Sequence, residues 1–212
     1  MKWSKEAEKA IKGYEISTCF GSAGCPNSAN SSALVSQDIE KIFETENLLE
    51  FLRKTVKGDL KFHHEFRVSL SDCPNACSRP QITDIGIIGA VVPGVSDKVC
   101  TLCGVCVSTC DENAIELDEK NQRPMIHYDR CLSCSKCITA CCAGTLAEIQ
   151  KGFRVMLGGR LGRHPRLAME IHGIHSHDKV LEIVKSCLKF YKNTSRSGER
   201  FSHLLSSVNQ IL

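Results

Sequence analysis

The sequence predicts a mixed α/β (α+β) fold: a host domain of strands and helices, a small cysteine-rich insert within it, and a helical C-terminal tail. Three observations lead there. Residues 82–92 read Ile-Thr-Asp-Ile-Gly-Ile-Ile-Gly-Ala-Val-Val, apolar on both faces as a buried strand is, and residues 153–157 (Phe-Arg-Val-Met-Leu) resume a strand after a long interruption. The interruption holds two evenly spaced runs of four cysteines. On either side, residues 33–57 and the stretch from Asp178 repeat apolar residues at helical spacing.

Taken in order, residues 2–12 favour a short charged helix that Gly13 ends. Cys19-Phe-Gly-Ser-Ala-Gly-Cys25-Pro-Asn follows, and Gly21, Gly24 and Pro26 suit a loop that folds over a cluster. In residues 33–57, Val35, Ile39, Ile42, Phe43, Leu49, Leu52 and Val56 form an apolar stripe, with Gly58 as a stop. Thr45 or Asn47 could split this region by capping a second helix. Residues 62–70 alternate, placing Phe62, His64, Phe66, Val68 and Leu70 on one side of a strand, with His63 and His64 as ordinary strand residues. That strand delivers Asp72-Cys73-Pro74-Asn75-Ala76-Cys77-Ser78-Arg79-Pro80. After the strand at 82–92, Pro93-Gly94 is expected to turn the chain into the insert.

The insert carries Cys100-x2-Cys103-x2-Cys106-x3-Cys110, and the same pattern 31 residues on as Cys131-x2-Cys134-x2-Cys137-x3-Cys141. This is the bacterial ferredoxin spacing, in which three cysteines of one run hold a [4Fe-4S] cluster and the fourth reaches across to the other. The expected metal ligands are therefore Cys100, Cys103, Cys106 and Cys141 for cluster 1, and Cys131, Cys134, Cys137 and Cys110 for cluster 2. A zinc site or a disulfide framework would favour separated pairs over four close cysteines repeated twice. Where Pro usually follows each fourth cysteine, Asp111 and Cys142 stand. Residues 114–117 and 123–128 are short strand candidates with a turn at 118–122 between them, and a short helix is expected from Ala143 through Gln150.

Beyond residue 157 come Gly158-Gly159-Arg160-Leu-Gly162-Arg163-His164-Pro165-Arg166, a helix from Asp178 and another over 201–212. Their apolar faces suit core or dimer contacts better than a cofactor box. The resulting division is a host domain of residues 14–98 and 151–172, an insert of 99–150, and a tail of 173–212. His172, His175 and His177 open that tail and read as solvated, while Cys142 and Cys187 read as spare thiols.

Fourteen cysteines, twelve of them in such pairs and runs, point to a reducing, anaerobic cytoplasm, since iron–sulfur ligands must be thiolates. The N-terminal lysines have no apolar run behind them, so no signal peptide is expected, and no apolar window is long enough for a membrane span. The formal +3 charge counts every thiol as neutral, so it gives no argument for nucleic-acid binding.

Together, Cys19-x5-Cys25, Cys73-x3-Cys77 within Asp-Cys-Pro-Asn-Ala-Cys-Ser-Arg, the Asp-Ile-Gly-Ile-Ile-Gly strand and Gly-Gly-x-x-Gly-x-x-Pro-Arg resemble the sirohaem-containing nitrite and sulfite reductases. A ferredoxin module at this place is similar to that of dissimilatory and anaerobic sulfite reductase subunits, and the resemblance covers roughly residues 14–172. It implies a nitrite/sulfite reductase-like host domain in which Cys19, Cys25, Cys73 and Cys77 hold a third [4Fe-4S] cluster (cluster 3). It also implies that Cys77 shares its sulfur with a sirohaem iron and that Asn75 lies beside the macrocycle. Sirohaem is an octa-anion, so Arg79, Arg160, Arg163 and Arg166 are candidate partners of its carboxylates, with plain surface charge as the competing reading. Gly158, Gly159 and Gly162 permit close backbone approach to a ligand or a plain turn.

The family has a further lobe before its first cysteine pair, whereas 18 residues precede Cys19 here. The resemblance therefore implies a homo- or hetero-oligomer that supplies the lobe, together with an electron donor protein or reductase subunit as partner. Two functions follow from it. One is an oxidoreductase in which ferredoxin clusters feed electrons to a [4Fe-4S]–sirohaem centre that reduces sulfite or nitrite. The other is an electron-transfer iron–sulfur protein on the same fold, with no substrate site of its own.

Overall fold

The structure, a computed structural model, describes residues 11–212. The expected helix over residues 2–12 lies almost wholly outside them. The elements in order are β1 (Tyr14–Thr18), α1 (Ala33–Thr45), α2 (Leu48–Thr55), β2 (Phe66–Ser71), β3 (Ile85–Val95), α3 (Val105–Ser108), β4 (Ile115–Asp118), β5 (Arg123–Ile126), α4 (Lys136–Ala140), β6 (Leu146–Leu157), β7 (Met169–His175), α5 (His177–Thr194) and α6 (Phe201–Leu204). Five strands form one sheet in the order β1-β2-β3-β6-β7, and β4 and β5 pair separately as a hairpin. β1, β2 and β3 run parallel, while β6 is antiparallel to β3 and β7 to β6.

Alternation along the strands explains which face of the sheet the helices cover. Phe66, Val68 and Leu70 of β2 and Ile85 and Ile87 of β3 point the same way as Val155 and Leu157 of β6. They meet Val35, Ile39 and Phe43 of α1, Leu52 of α2, and Val180, Val184, Leu188 and Tyr191 of α5. Phe66 touches both Tyr191 (ring centroids 5.4 Å) and Phe201 (5.2 Å), so the C-terminal helical segment is built into the host core. Each fully buried side chain of this size stabilises the fold by about 1.5–3 kcal/mol through apolar area removed from water.

The helical split falls at Asn47, whose left-handed backbone (φ 47°) separates α1 from α2, but its side chain bonds Glu50 and caps no backbone group. α2 ends at Thr55, three residues before Gly58. Several expectations are corrected. Residues 62–64 form a 3-10 turn and the strand starts at Phe66, because β1 offers no partner before Tyr14 and Phe62 is left exposed. The buried strand begins at Ile85, and it runs through Pro93 and Gly94 to Val95 with a bulge at Val92/Pro93. The expected helix over 143–150 is absent: Leu146–Gln150 form the first half of β6, paired with Val92–Val95, and this ladder overrides their helix propensity. Residues 201–212 make only the one turn of α6 and a 3-10 turn at Val208–Gln210.

The long β3–β6 ladder carries the insert. At its far end Ser96 N donates to Thr145 O (2.7 Å), and the insert folds back so that Val91 N donates to Ser133 O (2.8 Å). The first contact sits next to the Cys100 run, and the second ties the Cys131 run onto β3 itself.

Candidate metal centres

The insert is built twice over. Leu102 and Ser133 hold the same place in their two runs, both at positive φ (55° and 58°), as do Gly104 and Ser135 (73° and 66°). In each run the left-handed residue turns the backbone so that its own N–H points at the first sulfur. Leu102 N donates to Cys100 Sγ and Ser133 N to Cys131 Sγ, both at 3.4 Å. Ala114 N and Leu146 N do the same for the fourth cysteines, Cys110 and Cys141, again at 3.4 Å. N–H donors on sulfur favour thiolate and are one of the means by which a protein tunes an iron–sulfur cluster. α3 and α4 then bury the third cysteines, Cys106 and Cys137.

Cys100, Cys103, Cys106 and Cys141 line one cavity, with Cys142 also in its wall, and Cys110, Cys131, Cys134 and Cys137 line another. Burial, then Cys134, Cys131 and Cys110, push the Cys137 thiol up to about 12. Burial likewise raises Cys106, whose sulfur neighbours are Cys141 and Cys100. Sulfurs crowded in this way shed their protons readily only to a metal. Among the described residues no three His, Cys, Asp or Glu side chains are drawn together as for a single ion. Each set of four instead stands around a cavity, which suits a cluster.

The four remaining paired cysteines come together at the C-terminal ends of β1 and β2 and line a third cavity. Asp72 organises it. Its carboxylate accepts from Ser32 and Ser28, its carbonyl accepts from Ala29 N (2.9 Å) and Asn30 N (3.0 Å), and its own N–H donates to Cys19 Sγ (3.3 Å). The loop carrying Cys25 is thereby held against the turn carrying Cys73. A Cβ at Gly21 would collide with the Asp72 carboxylate, which explains the glycine two residues after Cys19. Ala76, at φ 54°, closes the turn between Cys73 and Cys77, and Asn75 Nδ2 donates to Cys77 Sγ at 3.0 Å. Cys73 is buried, but Cys77 and Asn75 are exposed. The donor set fits a [4Fe-4S] cluster, and the open sulfur of Cys77 faces outward beside an amide.

The candidate arginines are placed differently. Gly158 N donates to Asp84 O, so residues 158–166 leave the sheet beside the start of β3, while Cys19 and Cys73 follow the far ends of β1 and β2. Arg160 donates to the carbonyls of His164 (2.9 Å) and Ser202 (2.6 Å). Arg166 donates to those of Gly158, Ser202 and Leu205. These two guanidiniums tie the loop to the C-terminal segment and do not fit the role of carboxylate partners. Arg79 and Arg163 are exposed. Of the three histidines only His172 is exposed; His175 lies half-buried on β7, and His177 Nε2 lies 3.0 Å from Asp38 Oδ2.

Two features escaped the sequence reading. Asp72, read in the sequence only as the first residue of the Asp-Cys-Pro-Asn-Ala-Cys-Ser-Arg run, joins residues some 40 positions apart. The second is a shared wall: the cavity of Cys110, Cys131, Cys134 and Cys137, about 320 Å³, is also lined by Cys73, Pro74 and Asn75. Lys136 and Asp111 lie in the same wall, Nζ to Oδ2 2.6 Å.

Comparison with known proteins finds relatives along most of the chain. A profile of the nitrite and sulphite reductase 4Fe-4S domain matches residues 16–209. The coenzyme F420-dependent sulfite reductase of Methanocaldococcus jannaschii is 29% identical over 191 residues, which is 90% of this chain and 29% of that protein. The dissimilatory-type sulfite reductase subunit beta of Archaeoglobus fulgidus is 30% identical over 108 residues, 48% of this chain and 29% of its own length. The crystal structure of dissimilatory sulfite reductase I superposes with a TM-score of 0.62 at 13% identity, covering 93% of this chain and 50% of that one, a likeness of fold. The chain thus spans less than a third of each of these two relatives.

Proposed function

The chain belongs to the nitrite and sulphite reductase 4Fe-4S domain family, and from that premise we propose that it is the electron-delivering half of a sulfite- or nitrite-reducing centre. In this reading the insert holds two [4Fe-4S] clusters on its crossed cysteine sets. The host holds a third on Cys19, Cys25, Cys73 and Cys77, with a sirohaem against the exposed Cys77 sulfur. The observation that carries it is the shared wall, because Cys73 and Asn75 of the host line the same cavity as Cys110, Cys131, Cys134 and Cys137 of the insert. Cofactors held across one wall are near enough for an electron to pass without a further carrier.

Each residue then has a task. The N–H groups on Cys19, Cys100, Cys110, Cys131 and Cys141 hold negative charge on sulfur. Asp72 holds the host cysteines in register. Asn75 orients the Cys77 sulfur toward the open face. Sirohaem, where bound, supplies the iron on which an oxyanion is reduced, and its carboxylates need cations; Arg79 and Arg163 are the exposed candidates on this chain, and Arg79 is the one next to the Cys77 turn. With Arg160 and Arg166 engaged elsewhere, the remaining cations come from a partner subunit or a second copy.

Iron content and a visible spectrum of anaerobically prepared protein test this. About twelve irons with a tetrapyrrole band support the full reading, with about thirteen when sirohaem iron is counted. Viologen-linked reduction of sulfite and of nitrite then identifies the substrate. About eight irons and no tetrapyrrole band overturn it. About twelve irons without that band favour the electron-transfer role.

A further inference from the structure

Lys136 stands where two cysteine sets meet. It begins α4, next to Cys137, and lines the cavity that Cys110, Cys131, Cys134 and Cys137 share with Cys73 and Asn75. Its ammonium lies 2.6 Å from Asp111 Oδ2, across 25 residues of sequence. Asp111 directly follows Cys110, at the place where Pro is usual in two-cluster ferredoxins. The departure from that pattern therefore supplies the anion that anchors the lysine over the shared wall. Lys136 lines the same cavity as Cys134 and Cys137 of the insert and Cys73 of the host, so its charge stands at a wall common to both cysteine sets.

A cluster that takes up an electron becomes more negative, and a fixed cation beside it favours the reduced state in inverse proportion to distance. We propose that Lys136, anchored by Asp111, sets the driving force for passing an electron between the Cys131 set and the host set of Cys19, Cys25, Cys73 and Cys77. It acts through charge and is not a ligand. The proposal rests on the reading that both sets hold [4Fe-4S] clusters. One electron leaves the reduced cluster of the insert as one enters the oxidised cluster of the host; no bond forms or breaks and no proton is required. Because Lys136 sits within the Cys131 run itself, between Cys134 and Cys137, it stabilises the electron more on the insert side. The ammonium therefore restrains forward transfer.

The test is an EPR-monitored redox titration of the full chain, prepared anaerobically, as native protein and as Lys136→Gln, Lys136→Met and Lys136→Arg, with iron measured in each. At native iron content, Lys136→Gln and Lys136→Met are expected to move both potentials to more negative values, that of the Cys131 set further. Lys136→Arg is expected to hold both near the native values. The shifts should shrink in high salt, since the lysine is only half-buried. Unmoved potentials in both neutral variants, or a shift confined to the Cys131 set, would overturn the proposal. About eight irons in the native chain would remove its premise instead, a result that the iron assay separates from the first.

Discussion

Asp72 Oδ1 accepts both the backbone N–H and the hydroxyl of Ser32, at 2.9 and 2.6 Å. Both residues are buried, at 2% exposure each, so water cannot replace the bonds. Asp72→Ala is expected to leave the Ser32 donors unsatisfied at a cost of roughly 1–3 kcal/mol each. It should also release the Cys25 loop. The measurable outcome is a loss of about four irons with both insert clusters retained, alongside a lower unfolding temperature. Native iron content in that variant would show that the clamp is dispensable.

Cys110→Ser should damage the cluster of Cys131, Cys134 and Cys137, although Cys110 lies in the other run. Those three sulfurs share its cavity, and Cys141 lines the cavity of Cys100. Mössbauer or EPR spectra that lose the Cys100-side cluster instead would refute the crossing.

Gly89 lies on β3 directly under the Cys25 loop. A Cβ there would collide with the backbone oxygens of Asn30 and Asp72, and backbone cannot swing aside as a side chain can. Gly89→Ala is expected to destabilise the fold by about 1–3 kcal/mol, read as a shift in the denaturation midpoint. An unchanged midpoint would count against this close approach.

The two spare thiols should differ in reactivity. Cys187 is wholly buried in α5, and burial holds its pKa far above the usual thiol value, while Cys142 is exposed. Alkylation of the native protein followed by peptide mass analysis should find Cys142 modified and Cys187 protected until the chain unfolds. Equal labelling of both would contradict the packing of α5.

Glu199 receives the backbone N–H groups of Ser197 (2.8 Å) and Arg196 (2.9 Å), which, with Ser197 first, hold its carboxylate down at about 2. A depressed acid stabilises the fold above its unfolded pKa and loses that contribution as pH falls through the folded value. The turn leading into α6 should therefore weaken between the ordinary glutamate range and about pH 2. Protection factors at Arg196 and Ser197, exchange rates taken relative to the intrinsic rate at each pH, should fall across that window in the native chain, and should already be low in Glu199→Gln at neutral pH. Unchanged protection in both would remove the carboxylate from the account.

The cysteine runs were legible in residue order. Spacings of three and four residues are local, so the first three sulfurs of a run stand close before any tertiary contact forms, whereas a fourth sulfur crossing from the other run depends on the fold. The β4–β5 hairpin between the runs was legible for the same local reason. Apolar periodicity likewise marked α1, α2, α5 and the buried course of β3. Features that depend on partners far along the chain emerge only on folding. Residues 146–150 have the composition of a helix, yet they become strand because Val92–Val95 offer a ladder of hydrogen bonds. Arg160 and Arg166 read as free cations until Ser202 and Leu205 claim their donors. Asp72 and Lys136 gain their roles from groups 40 and 25 residues away. Local spacing is written in the order of residues, whereas pairing and electrostatics arise only when folding brings distant residues together, as where Val91 of β3 bonds Ser133 and holds the Cys131 run against the host sheet.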